Sequence, residues 1–196
     1  MSYIDLSSNQ GVIDFAKMRQ EDNVNGIILR STTKNNCLDV RLIEYYNGIL
    51  HNISELDELS VYKFSYARDY QSARTEAYKC LKALAGKGIH YDYFYLDLEG
   101  FGGRDYTTDE ANAVIMAYMD TLFMWGIRDK FRLYFNYNYL KHIIDPVWRD
   151  IPIWLARYNA TIGDTFDANI VLWQYTSTGT VAGIKGNVDI SKVVAK

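Results

Sequence analysis

Tyr91-Asp92-Tyr93-Phe94-Tyr95-Leu96-Asp97-Leu98-Glu99-Gly100 is an apolar, aromatic run that stops on two carboxylates and a glycine. Aromatic residues concentrated in so short a stretch favour a buried strand. Side chains alternate faces along a strand, so positions two apart point the same way, with Cα atoms about 6.5 Å apart. Asp97 and Glu99 are therefore expected to face one cavity. Two like charges that close disfavour joint ionisation, so one can keep its proton near neutral pH as a general acid while the other stays anionic. Cleavage of a glycosidic bond needs that division of labour. Taken alone, an Asp-x-Glu is more often an acidic turn capping a strand, and the rest of the chain supplies the weight.

Outward from this run, β-branched and aromatic runs predict strands over residues 2–5, 26–31, 60–67, 91–97, 132–135, 153–157 and 170–174, with a short last one near 188–190. Helical patterns fall between the first five strands and after the fifth, over residues 14–20, 39–52, 70–85, 109–125 and 139–144. Ala73, Ala77, Cys80, Leu81 and Leu84 recur at helical spacing before Gly86, and Ala111, Val114, Ile115, Tyr118, Leu122 and Trp125 do so before Gly126. Thr107, three residues before Glu110, fits a capping box. Five strand–helix units followed by bare strands imply an α/β fold, a parallel sheet closed into an irregular TIM-like barrel. In such barrels the active site forms at the C-terminal edge of the strands. Asp5 ends the first predicted strand, Asp97 and Glu99 end the fourth, and Asp189 lies in the eighth, which sits beside the first on closure. Four acids from three strands are expected at one mouth.

Composition narrows the classes. With 196 residues, 48% hydrophobic and only two prolines, the chain reads as one globular domain over residues 1–196. A net charge of −3 offers no basic field, so nucleic acid is not an expected partner. No stretch of 18 apolar residues occurs, and Met1-Ser2-Tyr3-Ile4-Asp5 enters structure without an apolar leader, which predicts no membrane insertion and no export signal. Cys80 lies on an apolar helix face and Cys37 in a polar loop, so no disulfide is expected. His51, His90 and His142 show no ligand spacing, and neither a metal nor another cofactor is called for. Seventeen tyrosines, eight phenylalanines and four tryptophans suit the flat faces and hydroxyl edges of sugars, although most must be core.

Several separated motifs, in order, resemble the glycoside hydrolase family 25 lysozymes, the muramidases of bacteria and their phages. Tyr3-Ile4-Asp5-Leu6-Ser7-Ser8-Asn9-Gln10-Gly11 is similar to the family's opening, and Tyr95-Leu96-Asp97-Leu98-Glu99 to its Asp-x-Glu strand. Ile153-Trp154-Leu155-Ala156-Arg157-Tyr158, Leu172-Trp173-Gln174-Tyr175-Thr176-Ser177 and Gly186-Asn187-Val188-Asp189 resemble its C-terminal marks. The resemblance implies a (β/α)5(β)3 barrel that hydrolyses the β-1,4 bond from N-acetylmuramic acid to N-acetylglucosamine in bacterial peptidoglycan. It implies Glu99 as general acid and Asp97 as partner carboxylate, with Asp5 and Asp189 as outer acids that tune Glu99. Asp97 would either orient the substrate's own N-acetyl group as nucleophile or support an oxocarbenium-like transition state while water attacks. Tyr66, Tyr134, Trp154 and Trp173 match positions that shape or line the cleft. Two departures, Lys63 in place of a frequent His and Ser31-Thr32-Thr33-Lys34-Asn35 in place of a glycine-containing turn, bear on the cleft floor.

The rival enzyme is a chitinase-like family 18 barrel, whose Asp-x-x-Asp-x-Asp-x-Glu is met by Asp92, Asp97 and Glu99 but broken at Tyr95. A different class is a glycan-binding or phage structural barrel without turnover. Within the muramidase reading, the expected origin is a phage endolysin, made in the host cytoplasm and released through a holin-type membrane hole. The alternative is a domain of a longer secreted protein such as an autolysin.

Overall fold

The computed structural model describes residues 2–21, 24–53, 55–159 and 161–194, so the remaining positions of the expected 1–196 domain lie outside the described residues. Within them the chain runs β1 (Ser2–Leu6), α1 (Phe15–Glu21), β2 (Val24–Arg30), α2 (Leu42–Asn52), β3 (Glu58–Phe64), α3 (Tyr70–Ala85), β4 (Phe94–Asp97), α4 (Thr108–Met124), β5 (Phe131–Asn136), α5 (Tyr137–His142), β6 (Ile153–Ala156), β7 (Ile170–Gly179) and β8 (Val188–Val193). The eight strands close into a barrel in chain order. Five strand–helix units followed by three strands without α-helices agree with the sequence reading.

One feature departs from it. β1 to β7 are mutually parallel, but β8 is antiparallel to both β7 and β1. The connection from Gly179 to Val188 is too short for the crossover of a dozen or more residues that a parallel pair needs, so the chain turns straight back. Reversal puts the start of β8, not its end, at the barrel mouth. Asp189 consequently sits opposite Asp5 in the register.

The alternation along each strand makes two cores. Outward residues such as Ile4, Ile27, Leu29, Val61, Leu96, Leu133 and Leu155 pack with the helices in the larger one. Inward residues Tyr3, Ile28, Tyr95, Tyr134, Trp154, Ala156 and Leu172 fill the barrel. Each large apolar side chain so buried contributes about 1.5–3 kcal/mol. Gly26 leaves room for this filling, since a Cβ there would overlap the ring of Tyr3.

Element ends also shift for local reasons. Predicted strand 60–67 stops at Phe64, because Glu76 on α3 accepts from Tyr66 N and Ser65 Oγ and draws the backbone off the sheet. Predicted helix 39–52 starts at Leu42, because the carboxylate of Asp39 accepts from Arg41 N and pairs with Arg30. The capping box of α4 forms as read, with Thr107 and Glu110 exchanging hydrogen bonds. Cys37 and Cys80 are both free. Among the described residues no helix is long and apolar enough to cross a membrane.

Candidate active site

Asp97, the last residue of β4, lies between Phe64 of β3 and Tyr134 of β5. The sheet pairing carries on one step beyond it, where Leu98 N donates to Tyr134 O at 2.9 Å. That bond keeps the chain extended, so Leu98 enters the outer core while Glu99 turns to the same side as Asp97. Gly102 and Gly103, at φ of 64° and 76°, then reverse the chain. These are left-handed values that glycine adopts without strain.

Asp5, Asp97, Glu99 and Asp189 all line one cavity of about 160 Å³ at the C-terminal mouth of the barrel. The four acids predicted from three strands do meet. Asp97 is buried, at 5% exposure, and its Oδ1 has no hydrogen-bond partner. Glu99 and Asp189 are more open. A larger recess of about 800 Å³, beside α1 and α2, holds none of these acids, so size does not select the site.

Burial moves every one of these carboxyls upward, and repulsion from neighbouring acids adds to it for Asp5, Asp97 and Glu99. Asp97 is held well above the usual carboxylate range, by burial first, then by the charges of Glu99 and Asp5, with Lys63 opposing. Asp5 is raised by burial and by Asp189, while a hydrogen bond from Gln174 pulls the other way. Burial followed by Asp189 raises Glu99, and burial raises Asp189. Groups coupled this way titrate as a set. A proton held to higher pH at a cavity mouth is one a general acid can donate.

Aromatic side chains shape the walls. Trp154 forms the floor, its ring 4.3 Å from that of Tyr134 and 5.4 Å from that of Tyr95, and its Nε1 donates to Ser191 Oγ at 2.9 Å. Tyr66 stands at the rim against Phe64 and Phe101, at 4.8 and 5.4 Å. Arg30 reaches the cavity while its Nε donates to Asp39 Oδ2 at 2.7 Å and its Nη2 to Ser8 Oγ at 3.1 Å. Among the described residues no group of three or more His, Cys, Asp or Glu is arranged to hold a metal ion.

The sequence model of Glycosyl hydrolases family 25 matches residues 4–184. The chain belongs to this family. A curated relative, the "Autolytic lysozyme" of Clostridium acetobutylicum, is 24% identical over 192 residues, which are 98% of this chain and 55% of that protein. Among solved structures, the modular autolysin LytC from Streptococcus pneumoniae superposes with a TM-score of 0.86 at 24% identity, over 97% of this chain and 46% of that one. The CTP1L endolysin superposes at 0.79, also 24% identical, over 98% of this chain and 66% of that one. This chain thus spans about half the length of the autolytic relatives it matches.

Of the family 25 positions expected to shape the cleft, Tyr66, Tyr134 and Trp154 line the cavity. Trp173 does not. Leu172 and Gln174 point into the barrel, so the residue between them faces out; its Nε1 donates to Arg157 O and its ring packs under Lys192. Lys63 likewise leaves the cleft floor. It lies outside the barrel wall, 0% exposed, with Nζ 2.7 Å from Glu76 Oε1 and 5.2 Å from the Tyr66 ring centroid. Residues not singled out from the sequence also reach the site: Arg30, Tyr62 and Phe64 line it, and Gln174 and Tyr158 form hydrogen bonds behind it. The period-two rule that placed Asp97 and Glu99 would have found Tyr62, Phe64 and Gln174, since each shares parity with an inward neighbour.

Proposed function

We propose that this chain hydrolyses the β-1,4 bond between N-acetylmuramic acid and N-acetylglucosamine in bacterial peptidoglycan, with Glu99 as general acid and Asp97 as partner carboxylate. The observation that carries the reading is the alignment of Asp97 and Glu99 on one face, in a cavity they share with Asp5 and Asp189. Membership of family 25 and similarity to an autolytic lysozyme support it.

Glu99 is the more open of the two central acids, so a sugar oxygen entering the mouth can reach it. Its raised proton affinity, from burial and Asp189, suits it to protonate the leaving oxygen near neutral pH. Asp97 lies deeper. Its unpartnered Oδ1 is free to accept from a substrate N-acetyl N–H or to face positive charge building on the sugar ring. Tyr66 and Trp154 give the pyranose apolar surface to rest on.

The test is digestion of purified peptidoglycan followed by borohydride reduction and mass spectrometry. Reduced muramic acid ends are the expected product. Reduced glucosamine ends would make the chain a glucosaminidase, and release of chitin fragments in preference to wall fragments would favour the family 18 type of substrate. Within the activity we propose an endolysin; the CTP1L endolysin shares the fold over 98% of this chain and 66% of that one. Made inside a bacterium it should leave the culture intact until the membrane is permeabilised, and lysis without permeabilisation would contradict that origin.

A further inference from the structure

Asp5 is held by a residue from the far side of the chain. Gln174 on β7, 1% exposed, donates from Nε2 to Asp5 Oδ2 at 3.0 Å. The other end of the same amide, Oε1, accepts from the hydroxyl of Tyr134 at 3.0 Å and from that of Tyr158 at 2.9 Å. With Asp5 ionised, only the NH2 end of the amide can face it, and the two hydroxyls hold the oxygen end in place. Both hydroxyls remain protonated donors at working pH: burial raises Tyr134 far above its ordinary value and pushes Tyr158 up to about 12.

We infer that Gln174 is a positioning residue of the acid cluster, which fixes the carboxylate of Asp5 and ties it through Tyr134 to the cavity wall and through Tyr158 to the segment following β6. The inference rests on the muramidase reading for its activity measurement only. A neutral amide suits the role because it holds a carboxylate without supplying a countercharge. A lysine or arginine there would quench the charge that Asp5 presents to Glu99 and Asp189. The groups facing Asp5 come from every neighbouring strand: Asp189 on β8, Asp97 and Glu99 at the end of β4, Tyr62 on β3, Arg30 on β2, and Tyr134 and Tyr158 behind Gln174.

The sign of the effect follows from the hydrogen bond. Gln174→Met keeps the bulk and removes both the donor and the acceptor. Asp5, without its donor, then keeps its proton to higher pH. At the wild-type optimum kcat should fall by about tenfold to a hundredfold, with a smaller change in KM. Tyr158→Phe, which removes one of the two hydroxyls, should lower kcat in the same direction by less.

A second measurement needs no substrate. Titration of the Asp5 carboxyl by carbon-13 NMR in wild type and Gln174→Met should show Asp5 protonating at higher pH in the variant. If peptidoglycan is not cleaved by wild type, the muramidase reading fails while the Asp5 titration still decides the role of Gln174. An unmoved Asp5 titration, with any loss of Gln174→Met activity tracking a fall in Tm, would reduce Gln174 to barrel packing and overturn the inference.

Discussion

Asp97 carries a cost that the fold bears for its chemistry. Its carboxyl titrates far above the ordinary value of about 3.9, so between that value and its folded value the native state binds more protons than the unfolded one. Stability contributed by this group is therefore present at low pH and is lost as pH rises. Asp97→Asn should raise Tm at neutral pH by a few degrees while abolishing turnover, and the gain should vanish as pH falls below about 4. A variant less stable than wild type at neutral pH would mean that attraction to Lys63 outweighs burial and repulsion. At this scale the sequence was legible where parity alone decided, as for Asp97 and Glu99. Trp173, assigned through a family motif, lies off the cavity lining, a direction its neighbours Leu172 and Gln174 already set. Gln174 itself lay in plain view within the same motif, but a neutral amide carries no signal of its own until its partners are seen.

Single elements were read best where the signal is local. The capping box at Thr107 and the apolar stripes of α3 and α4 depend on residues three or four apart, and they form as read. The direction of β8 depends on the length of a connection, and the end of β3 depends on a contact with α3; neither is visible in hydrophobic periodicity. The same contact gives a test. Lys63 on β3 and Glu76 on α3 form a buried ion pair, which also anchors Ser65 and Tyr66 at the cavity rim. Lys63→Met leaves Glu76 buried without its cation and should cost about 3 kcal/mol or more, seen as a lower urea midpoint at an unchanged m-value. A variant within error of wild type would show that Ser65 and Tyr66 satisfy Glu76 unaided. The Ser31–Asn35 departure from the family pattern has a local outcome too: Lys34 lies 5.7 Å over the ring of Tyr66 and so meets the rim.

Across the whole molecule, closure of the barrel makes the site. Asp5 and Asp189 come from opposite ends of the chain and face each other only because β8 completes the ring beside β1. This was foreseeable because a closed sheet must bring its last strand to its first, whichever way that strand runs. The surface is a separate matter. With a net charge of −3 this chain has no basic field to draw it to anionic wall polymers, so binding should depend on the cavity or on a separate wall-binding module. Cleavage of soluble wall fragments should change by less than about threefold between low and physiological salt, and a steep rise at low salt would point to a basic wall-binding surface.

We propose that one carboxyl, that of Glu99, supplies the proton that breaks the glycosidic bond. The most direct measurement is turnover and binding of the same peptidoglycan by wild type and Glu99→Gln. Glutamine preserves size and hydrogen bonding but has no acid proton, so turnover should fall by about a thousandfold while binding persists. Turnover near the wild-type rate would exclude Glu99 and move the proton donor to another member of the cluster.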